Sequence, residues 1–208
     1  MLESTSNLGD VRTMPVDQAV SHFVKLGVAY WRSLCGQRRF PARADMTLRG
    51  AAAILPYSVI VKVIDGGDDF EYRFVGEAQR QAFKASFKGL RVSQIEAAVP
   101  QLGSVLRAAY ERVVVPGTPF IIRGRVDHAL TDAQMLFHET AFLPLGASDA
   151  AVDHLLIVGV QVPEPFWSVS ADRLAVLADQ IRSATTGEAP AAAATAASDG
   201  AAPISRSN

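Results

Sequence analysis

The chain has 208 residues, 49% of them hydrophobic and 20% charged, which predicts a soluble globular domain with one core plus extensions. Twenty basic and twenty-one acidic residues give a formal net charge of -1, which argues against nucleic acid as a partner, because binding to the phosphate backbone depends on excess positive charge. The single cysteine, Cys35, excludes an internal disulfide, and no charged-then-apolar leader opens the chain, so we expect a reducing cytoplasm. No apolar run approaches the roughly 20 residues that span a bilayer, so we expect no membrane insertion.

The N-terminal part of the chain divides into two zones. Residues 1–14 are polar and aperiodic, which predicts a disordered N-terminus. Residues 15–36 predict an amphipathic leading helix with Pro15 in its first turn and Gly36 at its end. The apolar residues of this helix recur at three- and four-residue steps: Val16, Val20, Phe23, Gly27, Tyr30, Trp31 and Leu34.

The segment RFPARAD at 39–45 is expected to fix how the leading helix meets the domain. Pro41 favours an extended backbone before it, and in an extended stretch Arg43 and Asp45 face the same neighbour. We predict a buried arginine paired with a carboxylate in this region. Arg73, on the outer face of the sheet below the helix, is a candidate for the same network.

Two strands are predicted at 57–65 and 70–77, joined by the turn-forming residues 66–69. Lys62 is expected to point to water, which fixes the inward face of the first strand. Alternation then directs three residues of each strand toward the helices: Val59, Val61 and Val63 in the first, and Phe70, Tyr72 and Phe74 in the second.

Helices are predicted between this strand pair and the next strand. In the first helical stretch, basic residues form one side and apolar residues another, namely Arg80, Lys84, Lys88 and Arg91 against Phe83, Phe87 and Leu90. The basic side favours a solvated face, and the functional alternative is a site for an acidic or phosphate-bearing ligand. A second helix is predicted at 99–115, before Pro116-Gly117.

Three further strands are predicted at 119–128, 135–146 and 154–162, each rich in Val, Ile, Phe or Leu. With the first pair they predict an α+β fold in which a five-stranded antiparallel sheet carries helices on one face and encloses a space for a small molecule. A C-terminal helix is predicted within 166–187, and residues 188–208, rich in Ala, Pro, Ser and Thr, are predicted to be a disordered tail.

Several short motifs occur along the chain in a fixed order: YWRSLCG at 30–36, RFPARAD at 39–45, Leu55-Pro56, YRFVG at 72–76, Gly89, and Glu139 with Leu143-Pro144-Leu145. Together they resemble the PAS-domain family of short proteins from alphaproteobacteria. The resemblance covers residues 25–165 and implies a PAS fold for a domain at 37–165. It also implies a non-enzymatic sensory module of bacterial signal transduction that binds a small molecule, a partner protein such as a histidine kinase or another regulator, or both.

In PAS proteins the helix before the domain commonly mediates dimerisation, so the resemblance implies a homodimer. The alternative is that the apolar stripe of this helix folds back on the open face of its own sheet. The residues expected at either contact are Phe23, Tyr30 and Trp31. The residues expected to line a ligand pocket are Val59, Val61, Tyr72, Phe74, Phe83, Phe87, Leu106, Phe120, Ile122 and Phe137.

No cofactor or metal is predicted. Haem sensing in this fold needs a histidine on the central helices, and the four histidines lie elsewhere, at His22, His128, His138 and His154. A covalent flavin photocycle needs a cysteine beside the flavin, whereas Cys35 lies in the leading helix. His138 and Glu139 are neighbours in a strand and point to opposite faces, so they cannot bind one metal ion together.

Two further hypotheses stay open. The strongest enzymatic alternative is a cone-shaped α+β isomerase or dehydratase that uses Asp127 and His128 as a catalytic pair, although adjacent strand residues are poorly placed to bond to each other. The other alternative is an adaptor without a ligand, which docks a kinase or regulator through its sheet face or its leading helix.

Overall fold

A computed structural model of the chain describes residues 12–83, 86–127 and 135–164. The strands in these ranges are β1 (Arg12–Met14), β2 (Ser58–Ile64), β3 (Asp69–Val75), β4 (Phe120–Asp127), β5 (Met135–Leu145) and β6 (His154–Glu164). The α-helices are α1 (His22–Cys35), α2 (Leu48–Ala51), α3 (Glu77–Phe83), α4 (Val92–Ala98) and α5 (Pro100–Val114). None of these helices combines the length and the apolar character needed to cross a membrane. The predicted C-terminal helix at 166–187 and tail at 188–208 lie outside the described residues.

The six strands form one antiparallel sheet in the order β1-β4-β5-β6-β2-β3. The five predicted strands are all present, each within two residues of its predicted bounds, and the α+β class is confirmed. β1 is a sixth strand, inside the segment predicted to be disordered. It pairs with β4, where Arg12 lies opposite Arg123 and Met14 opposite Ile121. A strand of three residues is too short for alternation to reveal it, so only its distant partner defines it.

The pairing of β2 with β3 contains an irregularity that changes which side chains face the helices. Val61 lies opposite Tyr72, but the preceding residue, Ile60, lies opposite Phe74. Arg73, between Tyr72 and Phe74, therefore has no partner in β2. One extra residue in a strand inverts the alternation beyond it. The prediction that Phe74 shares the inward face with Tyr72 is therefore wrong, because Phe74 lies on the same face as Ile60.

Helices cover both faces of the sheet. On the face that we call the helical face, α5 contacts β3 and β5, and α3 contacts β6. On the other face, the outer face, α1 lies across β5 and β6. The consecutive β6 residues Val158 and Gly159 show the two sides, since Val158 meets Gly27 of α1 and Gly159 meets Gln79 of α3. The expectation that the central helices lie on one face holds for α3 and α5. The leading helix α1 folds back on the open face of its own sheet, which is one of the two arrangements expected for it.

The leading helix is shorter than predicted at its start. Pro15 precedes a single 3-10 turn, Val16–Gln18, and α1 begins only at His22, with Ser21 as an extended N-cap residue. The amides just before the helix bond to a side chain of the sheet, as described below, which separates the turn from the helix. The predicted end holds, because Gly36 adopts a φ of 57° directly after Cys35.

The first central helix is also shorter than predicted. Within the described residues α3 spans Glu77–Phe83, and the segment 86–91 is not helical but runs beside the edge strand β3. Tyr72 of β3 donates its amide to the carbonyl of Leu90 at 3.0 Å and accepts from the amide of Gly89 at 2.8 Å. Edge strands present backbone groups that need such partners. The predicted basic side of this helix is therefore not formed as one helical side. Arg80 lies on α3, Lys88 and Arg91 lie in the segment 86–91, and Lys84 lies outside the described residues. The second central helix was predicted at 99–115 and is found as α5.

The RFPARAD segment is anchored to the end of the sheet by Phe40. This side chain is 1% exposed, and its ring fills the space beside Gly146, where an added Cβ would lie 2.5 Å from the ring. The amide of Gly146 donates to the carbonyl of Pro41 at 2.9 Å. The segment is thus held by an aromatic ring and a backbone bond.

Candidate functional site

Aromatic side chains fill the layer between the helical face of the sheet and α5. Tyr110 of α5 lies at the centre of this layer, with its ring centroid 5.2 Å from that of Phe70 in β3 and 6.2 Å from that of Phe142 in β5. Phe142 in turn stacks on Phe120 of β4 at 5.0 Å. Large rings of this kind line both protein cores and ligand pockets. We call these rings, together with Tyr72, the aromatic layer.

The aromatic layer contains one buried polar pair. The hydroxyls of Tyr72 and Tyr110 are 2.7 Å apart, and the two side chains are 4% and 2% exposed. Two hydroxyls carry two O–H donors, of which their mutual bond uses one. Within the described residues, no acceptor bonds to the second O–H.

Burial keeps both phenols neutral. Burial raises the pKa of Tyr110 well above its usual value, and the neighbouring Tyr72 phenol raises it further. Burial also raises the pKa of Tyr72, against the smaller lowering effect of its bond to Tyr110. The pair is therefore a neutral donor and acceptor set in an apolar layer.

Gln79 fixes α3 to the same face of the sheet. Its side chain is 3% exposed, and Nε2 donates to the carbonyls of Gly159 at 2.6 Å and Tyr57 at 3.0 Å. The Oε1 atom accepts from Nε2 of Gln161 at 3.1 Å. The absence of a side chain at Gly159 leaves room for the Thr140 hydroxyl and for this amide, since an added Cβ would lie 2.6 Å from Oγ1 and 3.4 Å from Nε2. The bonds of Gln79 hold α3 against β6.

Most of the residues predicted to line a pocket lie on the helical face or against the core. The buried ones are Val59, Val61, Tyr72, Phe87, Phe120 and Ile122, and the half-buried ones are Phe83 and Leu106. The ring of Phe87 joins Tyr72 and Phe83, with centroids 5.6 Å from each. Phe74 lies on the outer face because of the irregular pairing in β3, and the side chain of Phe137 lies outside the described residues.

A buried carboxylate lies at the N-terminal end of α1 on the outer face. Glu139 of β5 is 0% exposed and accepts hydrogen bonds from the amides of Val20 at 3.0 Å and Ser21 at 2.7 Å. Arg123, its partner across the pairing of β4 with β5, donates from Nε to the carboxylate at 2.8 Å and from a second nitrogen to the carbonyl of Gln18. A negative charge at a helix N-terminus is also favoured by the helix dipole. We call Glu139, Arg123 and these backbone groups the outer-face network.

Hydrogen bonds keep Glu139 ionised despite its burial. Burial alone raises the pKa of this carboxyl, but the amides of Ser21 and Val20, the Ser21 hydroxyl and the Arg123 guanidinium together lower it below its usual value. The carboxylate thus joins two strands and the start of α1 as a charged group.

The residues predicted for the helix contact do hold α1. Trp31 is 5% exposed, and its Nε1 donates to a backbone carbonyl of β5 at 2.7 Å. The ring of Phe23 stacks on Tyr57 with centroids 3.8 Å apart. The hydroxyl of Tyr30 accepts from the amide of Thr47, the N-cap residue of α2, at 3.0 Å.

The predicted network of Arg43, Asp45 and Arg73 is wrong. Arg43 is exposed, Asp45 pairs with Arg38 in a solvent-exposed contact, and Arg73 pairs with Glu71 at 2.7 Å on the surface. An arginine–carboxylate pair does fix the leading helix, but it is formed by the half-buried Arg123 and the buried Glu139. The sequence signal for this pair is Glu139, an acidic residue within the apolar run of β5. Its partner Arg123 follows only from the register of β4 with β5.

Other candidate groups lie apart from one another. His138 faces the helical side, with Nδ1 3.4 Å from Oγ1 of Thr140, while its neighbour Glu139 faces α1. Burial raises the pKa of Cys35 in α1, on the far side of the sheet from the aromatic layer. His128, of the proposed catalytic pair, lies outside the described residues. In the described ranges no three His, Cys, Asp or Glu side chains group as a metal site.

Comparison of the chain with protein-family profiles, curated proteins and solved structures finds no match.

Proposed function

We propose that the chain is a non-enzymatic sensory module of the PAS type, which binds a small molecule between the helical face of its sheet and its central helices and passes the signal to a partner protein. The observation that carries this proposal is the Tyr72–Tyr110 pair, a polar pair 2.7 Å apart inside the aromatic layer. Phenylalanine at both positions would fill a core without the cost of burying two hydroxyls. A bound molecule with an acceptor atom gives the second O–H a partner.

The layout of the elements supports the same proposal. The helices α3 to α5 lie between β3 and β4 in the chain, and α3 and α5 pack on one face of the antiparallel sheet. This agrees with the fold that the sequence resemblance implies over residues 25–165. Ligand sites combine an apolar lining with a few convergent polar groups, and the neutral phenols favour an uncharged ligand that carries a carbonyl or a similar acceptor.

Native mass spectrometry of freshly purified full-length chain tests the proposal and also reports whether the chain is a homodimer. We expect a retained small molecule, with lower occupancy in the Tyr72→Phe/Tyr110→Phe variant, whose affinity for it should fall about two- to tenfold, since one lost hydrogen bond is worth about 0.5–1.5 kcal/mol. Tyr57→Phe is the matched control, because the Tyr57 ring stacks on Phe23 of α1. An empty chain that co-purifies with a kinase would favour the adaptor hypothesis instead.

A further inference from the structure

Positive charge is concentrated in the chain segment that runs from the start of α1 to the end of α2. From His22 to Ala51 the chain has six Lys or Arg residues and one acidic residue, hence a net charge of +5, although the formal net charge of the whole chain is -1. From Asp65 to Glu77, around the turn between β2 and β3, there are five acidic residues and one basic residue. The two signs therefore occupy different parts of the fold.

Four of the cations near α1 and α2 are exposed. Lys25 and Arg32 lie on the exposed side of α1, and Arg43 and Arg49 lie on either side of Leu48 in the chain. Within the described residues, none of these four side chains has a hydrogen bond or an ion pair. Leu48 is 79% exposed, which is unusual for a large apolar side chain among charges. We call these five residues the basic surface.

The contact between α1 and α2 fixes the position of Leu48 and Arg49 relative to α1. The Tyr30 hydroxyl accepts from the amide of Thr47 at 3.0 Å, and a Cβ added at Gly50 would lie 2.8 Å from the Tyr30 ring. Leu48 and Arg49 lie between these two contact residues in the chain. They are therefore held on the flank of α1 that carries Tyr30. Lys25 and Arg32 lie on the opposite flank, about 140–160° around the helix, so the basic surface extends across the solvent-exposed side of α1.

We propose that the basic surface docks an acidic surface of a partner protein, with Leu48 as its apolar anchor. Protein interfaces are enriched in arginine and depleted in lysine, and three of the four cations here are arginines. The opposite charge across such a contact guides encounter and fixes orientation. The proposal deepens the proposed function by giving the chemistry of the partner that receives the signal.

A second copy of the chain fits the basic surface less well. A symmetric contact through this surface would place like charges opposite each other, which is unfavourable. A contact between the basic surface and the acidic stretch 65–77 of another copy would be head-to-tail, and such contacts form rings or open filaments. A separate acidic protein meets neither difficulty.

In-cell photocrosslinking tests the proposal with the full chain. Leu48 is replaced by the photoreactive residue p-benzoylphenylalanine, and crosslinked adducts are identified by mass spectrometry. We expect one adduct, to a protein whose crosslinked segment is acidic. The adduct should be lost in the triple variant R32E/R43E/R49E and kept in K62E/K88E/R91E, which has the same change in net charge at exposed cations elsewhere.

Binding of the purified partner completes the test. We expect the Kd for the partner to rise at least about tenfold in R32E/R43E/R49E, and to rise with salt for the wild type. Charge reversal in the acidic segment of the partner should restore binding to R32E/R43E/R49E. Adducts only to lipid, to nucleic acid or to a second copy of the chain would overturn the proposal, as would no adduct or equal loss in both triple variants. Crosslinking and partner binding do not depend on a bound small molecule. A failure of the docking proposal can therefore be told apart from a failure of the proposed function, which would appear as an empty chain in native mass spectrometry.

Discussion

At the scale of single residues, Glu139 links the sheet to the start of α1. An ionised carboxylate at 0% exposure is costly unless it is paired and hydrogen-bonded, and here two backbone amides and Arg123 supply these partners. The bonds also satisfy amides just before α1 that no helical carbonyl can reach. Glu139 therefore both depends on the position of α1 and fixes it.

Glu139→Gln should weaken the chain although it keeps the shape of the side chain. The amide loses the charge that Arg123 faces and places an NH₂ group near donors, so we expect a loss of about 2–4 kcal/mol in the free energy of unfolding. Urea denaturation measures the change. Glu111→Gln, at an exposed position of α5, is the control and should change stability by less than about 0.5 kcal/mol. Equal effects of the two substitutions would contradict the importance of the outer-face network.

The tyrosine pair makes a second prediction at this scale. Tyr72→Phe or Tyr110→Phe alone leaves one buried hydroxyl without its partner, and each should cost about 1 kcal/mol or more. The double variant should cost no more than the worse single variant, because both hydroxyls are gone, which corresponds to a coupling energy of at least about 1 kcal/mol. A double-mutant cycle by urea denaturation measures the coupling, and strictly additive losses would show that the two hydroxyls act independently.

At the scale of elements, α1 is placed by close packing as well as by the outer-face network. Gly27 sits so near β6 that an added Cβ would lie 2.7 Å from Cγ2 of Val158 and 3.0 Å from both its Cβ and Cγ1. A β-branched side chain has little freedom to rotate away. Glycine is a poor helix former, so its presence in the middle of α1 has a reason in the sheet beneath it.

Gly27→Ala should therefore destabilise the chain, although alanine favours helix by about 1 kcal/mol over glycine. We expect the clash with Val158 to exceed this gain and to leave a net loss of about 1 kcal/mol, together with faster hydrogen exchange in α1. In a Val158→Ala background the same substitution should destabilise the chain less, because the contacts with Cγ1 and Cγ2 are removed and only the contact with Cβ at 3.0 Å remains. A loss of equal size in both backgrounds would show that α1 does not pack on Val158 in solution.

At the scale of the whole molecule, two carboxylates tie separate regions together and link stability to pH. Asp69, at the start of β3, bonds to the Ser93 hydroxyl at 2.6 Å and to the Ser93 amide at 3.1 Å, and so joins the hairpin to α4. Burial raises the pKa of Asp69, but these bonds, the Phe70 amide and Arg107 together lower it below its usual value. Glu139 does the same for α1 and the sheet.

Both lowered pKa values predict an acid-labile fold. The unfolded chain takes up protons near the usual values of 4.5 for Glu and 3.8 for Asp, before the folded chain does. Stability from these groups is therefore full above that range and is lost as pH falls through it and below. Thermal unfolding from pH 7 to pH 3 should show a falling Tm, with a flatter profile in Asp69→Asn/Glu139→Gln than in the wild type. Parallel profiles would contradict the prediction.

Local sequence determined most of the elements. Alternating apolar residues and turn residues located the five long strands, and the apolar repeat between Pro100 and Pro116 located α5, because these signals lie within each segment. The apolar side of α1 was also predicted from its sequence, including the contact residues Trp31 and Phe23. These features depend on neighbours within one turn or one strand.

Tertiary structure alone decided the rest. One unpaired residue, Arg73, moved Phe74 to the outer face, and the segment at Gly89 left the helix to pair with the edge of β3. β1 exists only through β4, and Glu139 meets Arg123 only through the register of β4 with β5. Each of these outcomes depends on contacts between residues far apart in the chain, for which the pattern of any single segment carries no information.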